Sequence, residues 1–210
     1  MRLSEYYAWL KKDWAKAGFI ISIFLFVFLF VFVREYDFIV FLLLLQTPLY
    51  MLHETEEYIF PGGFGKYFNT KILKLQTEKE PVNETFIFFV NVILIWILMP
   101  VCGLLSTIDY RFGLWIPYFS FFAGIAHILL AIKAKKIYSP GLIVSLVLNI
   151  PVGLVTILYL WHHDIIKNIF LTPHLLIGLG LNAILPVMGT ILLRNYRQKE
   201  RNQHKLKNAT

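Results

Sequence analysis

Six apolar stretches, separated by short polar segments, constrain the fold of this chain more than any other feature. They cover about residues 17–33, 38–52, 86–107, 114–132, 142–161 and 173–193. A helix needs about 20 mostly apolar residues to cross the hydrocarbon core of a bilayer. The whole chain is 58% hydrophobic and only 16% charged, whereas a soluble domain is about a quarter charged. We therefore predict an all-α, multi-pass membrane helix bundle of about six transmembrane helices, an integral protein of the cell membrane.

The basic residues are distributed unevenly between the polar segments. If the N-terminus is cytoplasmic, seventeen of the 20 Lys and Arg residues fall in cytoplasmic segments, and only Arg34, Arg111 and Lys167 fall outside. Lys and Arg in short loops favour the cytoplasmic side, so both termini are predicted to be cytoplasmic. The net charge of +7 does not indicate a nucleic-acid partner, because the basic residues flank apolar runs. The lipid bilayer is the expected partner, with the basic tail on anionic headgroups; no protein partner is identified.

We predict three segments. Residues 1–37 form a basic interfacial segment, with aromatic anchors such as Trp9 and Trp14, followed by the first transmembrane helix. A retained first helix is expected rather than a signal peptide, because its polar flank is long and no small-x-small cleavage site follows Val33. Residues 38–193 form a five-helix core, with a short surface helix between residues 61 and 84, and residues 194–210 form a basic cytoplasmic tail. The single cysteine, Cys102, excludes an intramolecular disulfide and a cysteine-based zinc site.

A charged motif, His53-Glu54-Thr55-Glu56-Glu57, directly follows the apolar run 38–52. That run is too short to cross a bilayer alone, so the helix must continue through the motif until Pro61-Gly62-Gly63 ends it. On a helix, His53 shares a face with Glu56 and Glu57, and such a trio can bind one Zn, Fe or Mn ion. Glu54 lies off this face and is expected to be a solvated interfacial charge. The alternative for the trio is a solvated helix end paired with nearby lysines.

Polar residues on other predicted helices lie at the depth of this motif. The topology places Asn91, His127 and Asn149 within one to two turns of the cytoplasmic ends of their helices. We predict His127 as a fourth metal ligand or catalytic residue beside His53, Glu56 and Glu57. Asn91 and Asn149 are candidate substrate-binding residues, with interhelical hydrogen bonding as the alternative. Asn182 is expected at a helix–helix contact, and His162, His163 and His174 are expected to be solvated at the outer face.

The motif resembles that of the HXXEE family of small bacterial and archaeal membrane proteins. The similarity extends from His53-Glu54-Thr55-Glu56-Glu57-Tyr58 and Pro61-Gly62-Gly63-Phe64 to Asn91, His127 and Tyr138-x-Pro140-Gly141. It covers roughly residues 38–193, which leaves the first helix outside the core pattern. The resemblance implies a membrane-embedded site built from residue types that serve in catalysis, and Tyr138 joins the candidate substrate-binding residues on this basis.

Three functions are compatible with this pattern. The leading hypothesis is a membrane-embedded, metal-dependent enzyme, hydrolase-like, whose His/Glu site at the cytoplasmic leaflet acts on a lipid or isoprenoid-type substrate. The chain contains no Gly-x-Ser-x-Gly, no Asp-rich prenyl-diphosphate motif and no Gly-rich phosphate loop. The second hypothesis is a proton- or ion-coupled carrier that uses the same cluster, and it predicts polar residues continuing to the outer face. The third is a non-catalytic partner protein whose buried polar network sets helix packing.

Overall fold

All regular structure is helical in residues 2–207, which are the residues that the computed structural model describes. Six helical segments are long and apolar enough to cross a membrane, as the sequence predicts. We number the helices α1 (Leu3–Val33), α2 (Phe38–Tyr58), α3 (64–72), α4 (Glu84–Leu105), α5 (Ile116–Ala134), α6 (Leu142–His162), α7 (Pro173–Asn182) and α8 (Ile184–Lys207). Helix α3 is the short surface helix predicted between residues 61 and 84.

Helix α2 is the centre of the bundle. Sixteen of its 21 residues are buried, and its neighbours include α1, α4, α5 and α6. A helix that is apolar on every side is stable when other helices surround it, which explains its position. The motif occupies the last turns of this central helix and is therefore enclosed by protein.

The two ends of α2 are fixed by local interactions. Asp37 caps the start, because its Oδ1 accepts hydrogen bonds from the backbone nitrogens of Ile39 (2.9 Å) and Val40 (3.0 Å). At the other end Gly62 has a φ of 73° and its backbone nitrogen donates to the carbonyl oxygen of Glu56. A left-handed glycine is a common way to end a helix. These caps place the motif in the last turns, as predicted.

The N-terminal segment is continuous with the first long helix. Helix α1 runs from Leu3 to Val33. Within its part Leu3–Phe28, only Asp13 has non-helical backbone angles. Trp14, which we predicted as an interfacial anchor, is instead buried between the rings of Tyr58 (5.0 Å) and Trp96 (6.2 Å). The start of α1 therefore packs against the end of the bundle that carries the motif.

The last long segment is broken in the middle. Helix α7 ends at Asn182, and α8 begins at Ile184 with Pro186 in its first turn. Helix α8 then continues without interruption through the predicted basic tail to Lys207. The tail is thus helical over residues 194–207, while residues 208–210 lie outside the described residues.

Candidate metal centre

Two long helices bring three ligand-type side chains together. His53 and Glu57 come from consecutive turns of α2, and His127 comes from α5. Glu57 Oε1 lies 3.3 Å from His127 Nε2 and 3.6 Å from His53 Nε2. All three residues are buried, and one ligand atom from each lies within 4.8 Å of the other two. The predicted convergence of α2 and α5 therefore extends to atomic contact.

The separations suit a divalent metal. Ligand atoms bound about 2.1 Å from a tetrahedral zinc ion stand roughly 3.4 Å from one another. The two separations from Glu57 Oε1, 3.3 Å and 3.6 Å, lie on either side of that value, and all three ligand atoms lie within 4.8 Å of one another. His53 Nε2 is fully buried and has no hydrogen-bond partner among the described residues. Two histidines and one glutamate form a ligand set that catalytic zinc sites use, leaving a position for water or substrate.

Glu56 makes a different set of contacts, at the start of α6. Its Oε1 accepts hydrogen bonds from the Tyr138 hydroxyl (2.9 Å) and from Ile143 N (3.1 Å), and its Oε2 accepts one from Val144 N (2.6 Å). The first backbone N–H groups of a helix have no partner within the helix, and a carboxylate there is favourable. Glu56 thus caps α6 from α2, and its assignment as a metal ligand stays a prediction.

Tyr138 supports this cap. It lies in the loop between α5 and α6, and its hydroxyl donates to Glu56. Burial, together with the hydrogen bond to the Glu56 carboxylate, raises the pKa of the Tyr138 hydroxyl. The hydroxyl therefore stays protonated, and remains a donor, throughout the physiological pH range. Its predicted role in substrate binding remains untested.

Gly141 forms the wall behind the cluster. A Cβ atom at this position would lie 2.6 Å from His53 Cε1, 2.8 Å from His127 Cε1 and 2.9 Å from Glu57 Cγ. Its φ of 91° is also in the left-handed region that favours glycine. One turn further along α6, Ser145 Oγ lies 3.3 Å from His53 Nδ1. Sequence reasoning did not identify Ser145, although its four-residue spacing from the glycine of Tyr-x-Pro-Gly is a usable signal.

The burial of Glu54 differs from the prediction. We predicted a solvated charge, but the residue is fully buried, and its Oε2 accepts a hydrogen bond of 3.1 Å from Trp96 Nε1 on α4. Its Oε1 has no hydrogen-bond partner among the described residues. The expectation was wrong because α2 is surrounded by other helices, so the part of its surface that carries Glu54 is also buried.

The predicted asparagines make helix-to-helix contacts. Asn91 Nδ2 donates to the Tyr58 hydroxyl (3.2 Å) as well as to its own helix, and Asn149 Nδ2 donates to Ser120 Oγ (3.2 Å). Asn182 donates to the carbonyl oxygen of Phe119 (2.9 Å), which is the helix–helix contact expected of it. The roles of Asn91 and Asn149 in substrate binding stay predictions.

Of the three histidines predicted at the outer face, His162 and His163 are exposed and His174 is half-buried.

An apolar cavity of about 260 Å³ adjoins the cluster. It lies between α2, α3, α4, α5 and the junction of α7 with α8. Fifteen of its 21 lining residues are apolar, and the other six are Tyr50, Glu57, Tyr58, Asn91, His127 and Asn182. Small-molecule sites combine a mostly apolar wall with a few placed polar groups, and this cavity has that character.

Fold and site together define an α-helical protein of multi-pass type with a buried His/Glu cluster near one end of its bundle. The chain belongs to the family described as "Protein of unknown function with HXXEE motif", which matches residues 44–156. The match contains both helices that supply the cluster and lies within the predicted core 38–193. No curated protein matches the chain. No solved structure matches it either.

Proposed function

We propose that this protein is a membrane-embedded, metal-dependent enzyme of hydrolase type, with a lipid or isoprenoid-type substrate. The observation that carries the proposal is the convergence of His53, Glu57 and His127 within 4.8 Å in a buried site. Ionisable residues inside a membrane bundle are rare and commonly functional. The uneven distribution of Lys and Arg supports a location of this site in the cytoplasmic leaflet of the cell membrane.

The residues near the proposed metal have different roles. His53, Glu57 and His127 hold a Zn, Fe or Mn ion, which at neutral pH supplies an activated water. Ser145 Oγ lies 3.3 Å from His53 Nδ1 and would accept a hydrogen bond from that nitrogen when Nε2 faces the metal. Glu56 and Tyr138 hold the start of α6, and thereby the backbone of Gly141, against the two imidazole rings.

The adjoining cavity supports an apolar substrate. Its wall includes both Glu57 and His127, so a molecule bound there reaches the cluster directly. The surrounding apolar side chains come from helices whose outer faces are suited to lipid. A substrate that dissolves in the bilayer therefore has access to a polar site that bulk water does not surround.

Metal analysis of the purified protein tests the proposal. The protein is isolated in detergent, stripped with a chelator, reloaded separately with Zn, Fe and Mn, and analysed by mass spectrometry. We expect about one metal per chain for the wild type and loss of that metal in His127→Ala and Glu57→Gln. His162→Ala is the control, because His162 is exposed on the far side of the bundle. A wild type that retains none of the three metals, or variants that retain them fully, would contradict the proposal.

An ion- or proton-coupled carrier is the second candidate, and one observation favours it. Buried polar contacts continue beyond His53 and Ser145, through Asn149 with Ser120 and through Gln46 with Thr156 (3.1 Å). Beyond Gln46, however, an apolar cluster that includes Leu43 and Leu160 fills the outer half of the bundle. A carrier needs an alternating connection to that side. The apolar cluster beyond Gln46 therefore counts against the carrier and favours the enzyme. Proton or metal flux in proteoliposomes, abolished by Gln46→Leu, would favour the carrier.

A further inference from the structure

The cavity beside the metal centre has an opening on the outer surface of the bundle. Leu129 on α5 and Ile184 at the start of α8 both line the cavity, yet they are 58% and 37% exposed. Both exposed faces are turned to the region that surrounds the bundle. An opening between these two side chains would face the side of the bundle, where a membrane would place its acyl chains.

The break in the last long segment lies at this opening. Helix α7 ends at Asn182, and Pro186 follows in α8; both residues line the cavity. Asn182 also donates a hydrogen bond to Phe119 O on α5, so the junction of α7 with α8 packs against α5 beside the cavity.

The polar groups of the wall are not evenly spread. Glu57, Tyr58, Asn91 and His127 lie near the cytoplasmic ends of α2, α4 and α5, at the depth of the cluster. Further along the cavity the wall is formed mainly by aliphatic residues and phenylalanines, among them Leu94, Ile95 and Phe119. The cavity thus has a polar end at the proposed metal and an apolar body that leads away from it.

We infer that the cavity binds one single-chain amphiphile, such as a fatty acyl or isoprenyl chain with a small polar end. The polar end lies at Glu57 and His127, part of the chain fills the apolar body, and the remainder leaves sideways between Leu129 and Ile184. The volume of the cavity is about 260 Å³. That space holds part of one chain, and the remainder extends through the opening into the bilayer. A two-chain phospholipid could place only one of its chains in this space, so we expect it to compete poorly. This inference rests on the proposed function, since the cavity ends at the same cluster.

A binding experiment tests it without an enzyme assay. The probe is a long-chain fatty acid with an environment-sensitive fluorophore at its methyl end, added to the full-length protein in detergent. We expect saturable binding of one probe per chain. Leu129→Trp, which narrows the opening at an exposed position, should weaken binding at least tenfold. Ile132→Trp is the matched control, because Ile132 lies on the same helix, is 66% exposed and does not line the cavity, and its binding should equal that of the wild type.

One further variant and one competition experiment test where the probe binds and which lipids compete with it. Ala126→Phe places a ring inside the cavity and should also weaken binding, and phosphatidylcholine should fail to displace the probe. Equal binding by the wild type, Leu129→Trp and a folded Ala126→Phe, or displacement by phosphatidylcholine, would overturn the inference. The metal analysis separates the two proposals: probe binding by a wild type that retains none of the three metals after reloading would support the cavity ligand and contradict the metal-dependent enzyme.

Discussion

Oε2 of Glu56 lies 2.6 Å from the backbone nitrogen of Val144, so a residue of the motif on α2 caps the start of α6. The adjacent residue, Glu57, lies 3.3 Å from His127 on α5. The two neighbouring carboxylates of one motif thus contact two different helices. One contact holds the scaffold, and the other contributes to the candidate metal centre.

Substitutions at Glu56 and Glu57 should therefore have different consequences. Glu56→Ala removes the carboxylate that accepts from two part-buried backbone N–H groups, and hydrogen bonds to charged groups contribute about 1.5–3 kcal/mol each. We expect a clear fall in the thermal unfolding temperature of the chelator-treated protein in detergent. Glu57→Gln should keep the unfolding temperature of the metal-free protein close to the wild-type value while abolishing metal retention. Equal stability of the wild type and Glu56→Ala would show that the cap is unimportant.

Much of the fold was predictable because it depends on patterns along a single helix. Apolar runs of membrane length identify the six long segments, and the distribution of Lys and Arg assigns their alternation. The need to complete α2 through His53 places the motif in its last turns. From there the topology brings His127 to the same depth, and the structure places their rings 4.5 Å apart between centroids.

The separate roles of Glu56 and Glu57 could not be predicted. Positions three and four residues after His53 share a face by spacing alone, and only the neighbouring helix decides which carboxylate meets His127. Glu54 was wrongly expected to be solvated for a related reason. Periodicity along α2 identifies the face that carries the candidate ligands. It does not show that Trp96 of another helix covers Glu54, which lies off that face.

Gly141 provides a test of the wall behind the cluster. Gly141→Ala would place a Cβ within 3 Å of both imidazole rings and of Glu57, so we expect loss of metal binding. The matched control is Gly63→Ala, because Gly63 has a similar φ of 88° and a Cβ there meets no atom of the described residues within 4 Å. Both variants carry the backbone strain of a left-handed alanine, of order 1 kcal/mol. Only the Gly141 variant should lose metal, as measured by reloading with zinc; equal zinc retention by both variants would contradict this role of Gly141.

The buried pair of Glu54 and Trp96 should contribute to stability independently of the metal. Trp96→Phe leaves the Glu54 carboxylate buried without its only hydrogen bond from the described residues, and an unsatisfied buried group costs about 1–3 kcal/mol or more when charged. We expect a lower unfolding temperature in detergent, whereas Trp161→Phe, at a residue 50% exposed, should change little. In the double variant Trp96→Phe/Glu54→Leu, part of the loss should be recovered. If the effects of the two substitutions simply add, Glu54 and Trp96 are not coupled.

The topology makes a prediction at the opposite end of the bundle. A reporter enzyme that is active only outside the cytoplasm, fused after Arg111, should be active, because the loop between α4 and α5 is predicted to be external. The same reporter fused after Lys136 should be inactive, because that loop lies at the end of the bundle that carries the motif. Activity measured on intact cells distinguishes the two fusions. The reverse pattern would move the candidate metal centre to the outer leaflet.

Ser145 should determine how tightly His53 holds the metal. When Nε2 of His53 binds an ion, its proton lies on Nδ1, and Ser145 Oγ at 3.3 Å is the group placed to accept it. Groups that orient metal-bound imidazoles typically change metal affinity by about 10- to 100-fold. We therefore expect Ser145→Ala to weaken zinc binding by about that factor in a competition titration, and Ser145→Thr to restore most of it. Ser120→Ala is the matched control, since Ser120 is equally buried but is hydrogen-bonded to Asn149 instead. A similar loss of affinity in both alanine variants would indicate general loosening of the bundle, whereas a loss confined to Ser145→Ala would identify the hydroxyl as the group that orients His53.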